Sequence, residues 1–154
     1  MADARLRAQL LERLFELAVS LSDAMDRGLE ARGLTRARGE LIWRLRREGP
    51  QTQRALSRML ACTPRNVTGL VDALESSGHV RRQAHPTDRR ATLVGLTRKG
   101  TAEAERMEAG YAAAAERLLG GLESSELTGF ASALDHILAT MREPAESDGM
   151  TRAS

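Results

Sequence analysis

The stretch TQRALSRMLACTPRNVTGLVDALESSG, residues 52–78, leaves a chain few options. It holds two apolar periodicities set too close together for a long connection. Thr52 precedes Leu56, Met59 and Leu60, and Thr63 precedes Val67, Leu70, Val71 and Leu74, which step by three and four residues as one face of a helix does. A threonine oxygen can accept from the N–H groups left open at a helix start, so each threonine is a fitting cap. Pro64 follows at the first helical position, where a missing N–H costs nothing. Gly78 supplies a left-handed stop. Two helices with a very short connection are therefore predicted.

The next residues change period. HVRRQA reads as a short strand, HPTD as a turn, and RRATLVGL as a returning strand whose Thr92, Val94 and Leu96 alternate onto one face. Two closely joined helices followed at once by a two-stranded hairpin form the winged helix-turn-helix arrangement. The flanks are helical as well. Leu6, Leu10, Leu14, Leu17, Leu21, Ala24 and Met25 predict an amphipathic helix that Gly33 ends, and Thr35 is expected to cap another with Leu41, Ile42 and Leu45 inward, broken at Gly49 and Pro50. Thr97 opens a long alanine-rich helix through Ala104, Met107, Tyr111, Ala115, Leu118 and Leu119. A last helix carries Leu127, Phe130, Leu134, Ile137, Leu138 and Met141, and residues 143–154 read as a disordered polar tail. The expected fold is mainly α, a single domain over residues 1–142, with the winged motif at 34–100 between helices at 4–32 and 101–142.

A net charge of +2 hides a division along the chain. Residues 32–100 carry fifteen basic and five acidic side chains, a balance of +10, whereas the rest carries −8. A basic middle between acidic flanks is the footprint of a segment that meets a polyanion. Lysine supplies only one of the 23 cations, so part of the arginine content reflects a general preference for that residue. No window approaches a membrane span and the N-terminus is charged throughout, so a cytoplasmic protein without membrane contact is expected. No nucleophile–base pair, glycine-rich phosphate loop or metal-ligand spacing is present, so neither catalysis nor a cofactor or metal is expected. Cys62 is the single cysteine and His79, His85 and His136 bear no ligand spacing to it. A structural role as a small hydrophobe suits Cys62, with a redox role left open by nearby Arg58 and Arg65.

If Val67, Leu70, Val71 and Leu74 point inward, the opposite face of their helix presents Arg65 and Gly69, flanked by Asn66, Thr68 and Asp72. Arginine can donate two bonds to guanine, asparagine can pair with adenine, threonine can meet a phosphate or a thymine methyl, and glycine lets the backbone approach closely. Thr63, Pro64, Arg65 and Asn66 lie at the helix start, where the dipole also favours phosphate. The hairpin tip delivers Asp88, Arg89 and Arg90 to the neighbouring minor groove, which attracts arginine where it is narrow. Asp88 would hold and direct Arg90, leaving Arg89 for the phosphates. Trp43 is expected in the core or in a pocket wall, and Arg38 is a candidate for an anionic ligand.

The run from residue 34 to residue 100, with VTGLVDALE, GHVRR and PTDRRATLVGLT in gapless order, closely resembles the MarR (multiple antibiotic resistance regulator) family of bacterial transcription factors. The resemblance implies a homodimer built by the first and last two helices, a recognition helix in the major groove of double-stranded DNA, and Arg90 of the Asp-x-Arg pattern in the minor groove. It also implies a small-molecule effector, aromatic or anionic, bound between the dimer region and the DNA lobe. Repression of transcription is the usual outcome in that family. An architectural or protein-binding winged helix without a specific operator is the alternative. His79 departs from the family, standing where an aliphatic residue is usual, so the wing root is expected to pack less tightly or to titrate.

Overall fold

The computed structural model describes residues 2–88 and 91–142, which form six helices and three short strands in the order α1 (Ala2–Glu30), α2 (Arg36–Glu48), β1 (Gln51–Thr52), α3 (Gln53–Met59), α4 (Pro64–Ser76), β2 (Val80–Ala84), β3 (Thr92–Leu96), α5 (Arg98–Leu119) and α6 (Ser124–Arg142). The expected tail and the two wing arginines, Arg89 and Arg90, lie outside the described residues. Contacts divide the chain into two compact units, residues 1–108 and 109–154, with the boundary inside α5.

Capping decides where the helices of the first unit begin and end. The Oγ1 atoms of Thr35, Thr52 and Thr63 accept from the backbone N–H of Arg38, Ala55 and Asn66, so all three expected caps are present. At the other end of α4, Gly78 adopts φ 76°, while His79 N–H reaches back to the carbonyl of Leu74 at 2.8 Å. That is the glycine-terminated stop expected from sequence, and an L side chain there would meet its own backbone.

The core of this unit is assembled from every element around α4. Leu41 and Ile42 of α2, Leu56 of α3, Val67, Val71 and Leu74 of α4, and Val94 of β3 are fully buried, with Val80 and Ala104 beside them. Each such aliphatic side chain contributes about 1.5–3 kcal/mol by leaving water. Leu60, Cys62 and Leu70 pack against this core from partly exposed positions, and Met59 is likewise half-buried rather than enclosed.

One feature differs from the sequence reading. The wing is a three-stranded antiparallel sheet of order β1-β3-β2, with Gln51 opposite Val94 and Arg82 also opposite Val94 on the other side. A two-residue strand is too short to display alternation, so β1 left no pattern to read. Thr92 shares a face with Val94 and Leu96 yet is exposed, because the strand has by then run beyond the helices that cover Val94. The apolar stripe of α1 is largely uncovered in the single chain: Leu6, Leu10, Leu17, Leu21 and Met25 are exposed, and Leu29 at its end is the residue that enters the core. In the second unit α6 likewise has no buried residue, with Leu127, Phe130, Leu138 and Met141 exposed.

Candidate nucleic-acid interface

The turn between α3 and α4 sets the direction of α4. Ala61 sits at φ 48°, a left-handed conformation that ordinarily falls to glycine. Ser57 closes the turn from both sides: its carbonyl accepts from Cys62 N–H at 3.1 Å, and its hydroxyl donates to the Cys62 carbonyl at 2.5 Å. Cys62 is a free thiol, half-buried against the core.

With Val67, Val71 and Leu74 turned into the core, Thr63, Pro64, Arg65, Asn66, Thr68 and Gly69 all stand exposed on α4 and its cap. Thr68 Oγ1 donates to the carbonyl of Pro64 at 3.0 Å, so in this rotamer its proton is committed to the helix and its methyl is left for a base. Gly69 is informative for a different reason. It lies mid-helix with no positive φ, and a Cβ placed on it would meet nothing within 4 Å. The fold therefore has no use for a glycine there, although glycine costs the helix about 1 kcal/mol relative to alanine.

At the hairpin tip the imidazole of His85 organises the turn, its Nδ1 accepting from the backbone N–H of Thr87 at 3.3 Å and of Asp88 at 3.1 Å. Asp88 is exposed, and its carbonyl accepts from Ala91 N–H at 3.1 Å. The expected partnership of Asp88 with Arg90 involves a residue outside those described.

Sequence reasoning placed Asp72 among residues flanking the exposed face and gave Glu75 and Arg82 no role. In the structure these three form one cluster. Arg82 Nη2 donates to Asp72 Oδ1 at 2.6 Å, its Nη1 to Glu75 Oε2, and its backbone N–H to Glu75 Oε1 at 3.0 Å. The two bonds from Arg82 hold the Glu75 carboxyl below its usual range. Two carboxylates three residues apart on a helix, with an arginine soon after its end, were the available signal.

His79, the departure from the family pattern, is buried rather than loosely packed. Its Nδ1 lies 2.8 Å from Ser77 Oγ, and its carbonyl accepts from Thr97 N–H at 3.0 Å. A Cβ on Gly100 would sit 2.0 Å from that carbonyl, so the end of α4 and the start of α5 meet through a glycine. Burial, and then the Lys99 charge, hold the His79 imidazole below its ordinary value, with buried Glu103 opposing. Glu103 itself is paired with Arg106 at 3.2 Å and with Arg32 at 3.5 Å.

Arg38 and Trp43 are both half-buried on α2, but five residues turn a helix by about 140° beyond one revolution, which sets them on different sides. A cavity of about 500 Å³ lies instead beside α4, with Glu40, Leu60, Cys62, Arg65, Gly69 and Leu70 among its walls, and includes neither Arg38 nor Trp43. Among the described residues there is no group of three or more histidine, cysteine, aspartate or glutamate side chains placed to hold a metal ion. No described helix is long and apolar enough to cross a membrane.

A buttressed helix with a polar exposed face, followed by a hairpin tied to its end, defines a winged helix-turn-helix protein. The sequence pattern of the MarR family matches residues 34–92, the segment that builds this motif. It is similar to the transcriptional activatory protein BadR of Rhodopseudomonas palustris, 33% identical over 104 residues, a match covering 64% of this chain and 59% of BadR. Among solved structures it resembles the YusO protein of Bacillus subtilis, with a TM-score of 0.74 at 25% identity over 88% of this chain and 96% of that one. It also shares the fold of Streptococcus pneumoniae FabT, solved in complex with DNA, with a TM-score of 0.71 at 20% identity over 86% of this chain and 93% of FabT.

Proposed function

We propose that the protein is a cytoplasmic, sequence-specific DNA-binding transcriptional regulator, a homodimeric repressor that reads a palindromic operator and responds to a small-molecule effector. The observation that carries this reading is the α4 face, where Arg65, Asn66 and Thr68 are exposed beside Gly69, a glycine that the fold itself does not need. α4 would lie in the major groove, with Arg65 and Asn66 on base edges and Thr63 and Pro64 at the phosphates near its start. Asp88, Arg89 and Arg90 would carry the wing to the minor groove. The exposed apolar residues of α1 and α6 support a second copy as partner, since large aliphatic and aromatic side chains left in water in such number mark an association surface. Arg38 and Trp43 remain candidates for the effector as alternatives to one another, because they lie on different sides of α2.

Selection of bound sequences from a random DNA pool tests the proposal. An inverted repeat with half-sites about one helical turn apart is the expected result. Equal retention of all sequences would instead favour an architectural winged helix. Deleting residues 1–30 is expected to abolish dimer formation and operator binding together, read by sedimentation and by titration. Activation is the second reading, favoured by the similarity to BadR, a protein named as an activator. Transcription in vitro from a promoter carrying the selected operator separates the two.

A further inference from the structure

We propose that Arg82 is a positioning residue that aims the wing relative to the recognition helix; this rests on the DNA-binding reading above. Val80 roots β2 in the core and Ala84 further out is exposed, and between them Arg82 ties the strand to α4. Its three bonds reach Asp72 and Glu75, residues three apart on α4, from both its guanidinium and its backbone. Pairing with β3 holds β2 within its sheet, and a single contact to α4 would still let the hairpin as a whole pivot against that helix. Three bonds to two points along a stiff helix fix a direction as well.

The lever is long enough for direction to matter. From Arg82 to the turn at His85 and Thr87 the strand extends roughly 10 Å at about 3.3 Å per residue, so a pivot of about 20° moves the tip by about 3–4 Å. The minor groove is about 6 Å wide, and such a displacement takes an arginine out of it. The same cluster has an electrostatic effect. Asp72 and Glu75 are the only acidic residues of α4, and both are engaged by Arg82. Without that cation two carboxylates on the recognition helix would face phosphates unopposed. An exposed ion pair adds little to stability, so a purely structural role predicts a small effect everywhere, whereas an aiming role predicts a large effect confined to the wing. A planar guanidinium meets two carboxylates with donors in fixed directions, whereas a lysine ammonium is a compact point charge whose donors rotate on a flexible stem.

The test uses the full chain with Arg82→Gln, Arg82→Lys and Glu75→Gln. Spin labels at Thr87→Cys and Ser76→Cys, in a Cys62→Ser background diluted into unlabelled protein, report the wing-to-helix distance without DNA. Titrations on operators with A·T or G·C flanks, and with changed central bases, report wing and helix recognition separately. Arg82→Gln is expected to broaden the distance distribution and to reduce flank preference at least fivefold, with central preference kept and the urea midpoint nearly unchanged. Arg82→Lys should fall between Arg82→Gln and the wild type. Should Arg82→Gln fail to fold, Glu75→Gln keeps an acceptor for the Arg82 N–H and is expected to broaden the distribution partially. An unchanged distribution in whichever variant folds overturns the proposal, as does equal weakening on all flanks. A wild-type protein without any DNA preference would overturn the DNA-binding reading, while broadening in Arg82→Gln would still establish the aiming role.

Discussion

Replacing Gly69 by alanine should make the protein more stable and a poorer DNA binder. The site is mid-helix and exposed, has no positive φ, and offers open space to a Cβ. Alanine therefore meets no strain, and the unfolded chain loses backbone freedom, a gain of about 0.5–1 kcal/mol. For a chain of this size that raises Tm by about 1–4 °C, to be read by thermal denaturation at fixed protein concentration. On DNA the sign reverses. If the helix backbone approaches the groove at Gly69, an added methyl group overpacks a close contact, which costs about 1–3 kcal/mol and weakens operator binding by roughly 5- to 150-fold. Gly69→Met, also a good helix former, should keep the stability gain and lose more affinity. Tight operator binding by a stabilised Gly69→Ala protein would refute the close approach. A drop in Tm would refute the claim that the fold has no need of the glycine.

Ala61→Gly should stabilise the turn by about 0.5–1 kcal/mol, since a left-handed L-residue costs about 1–2 kcal/mol and glycine returns only part of that through the unfolded chain; urea denaturation at constant m-value checks it. His79 titrates below its ordinary value of 6.5 in the folded chain, so the unfolded chain takes the proton first, and the stability present above that pH is lost as pH falls through and below it. His79→Leu should flatten this acid limb below the imidazole's ordinary value of 6.5, and an unchanged slope would assign the loss to other groups. Arg90→Ala should erase preference for A·T pairs at the outer edge of each half-site, while Arg89→Ala should weaken all DNA alike and shallow the salt slope by about one per wing; equal effects of the two substitutions would remove the distinction.

The sequence disclosed what depends on neighbours along the chain. Thr35, Thr52 and Thr63 announced helix starts, Gly33 and Gly78 announced stops, and the α4 stripe of Val67, Val71 and Leu74 fixed which face is free, because helical period and cap chemistry are local. It did not disclose what depends on folding distance. The spacing of Asp72, Glu75 and Arg82 was a signal, but that the guanidinium returns to both carboxylates depends on the direction in which β2 leaves α4. Pairing of β1 with β3 joins positions more than forty residues apart across a strand only two residues long. His79 was noticed for its identity, but its burial comes from α5 packing against it. The stripe of α1 was read correctly as apolar, yet which surface covers it is a property of an assembly rather than of one chain.

The bond from Arg82 N–H to Glu75 bears on solubility as well. In the sheet order β1-β3-β2 the five-residue strand β2 lies at an edge, and its outward donors are the kind of unpaired row that recruits a strand from another molecule. Glu75 occupies the middle one with a carboxylate anchored in α4, on a strand too short to offer many others. An incoming chain would have to displace a charged acceptor before it could add to the sheet. The hairpin can thus project into solvent, basic and extended, without becoming a template for aggregation.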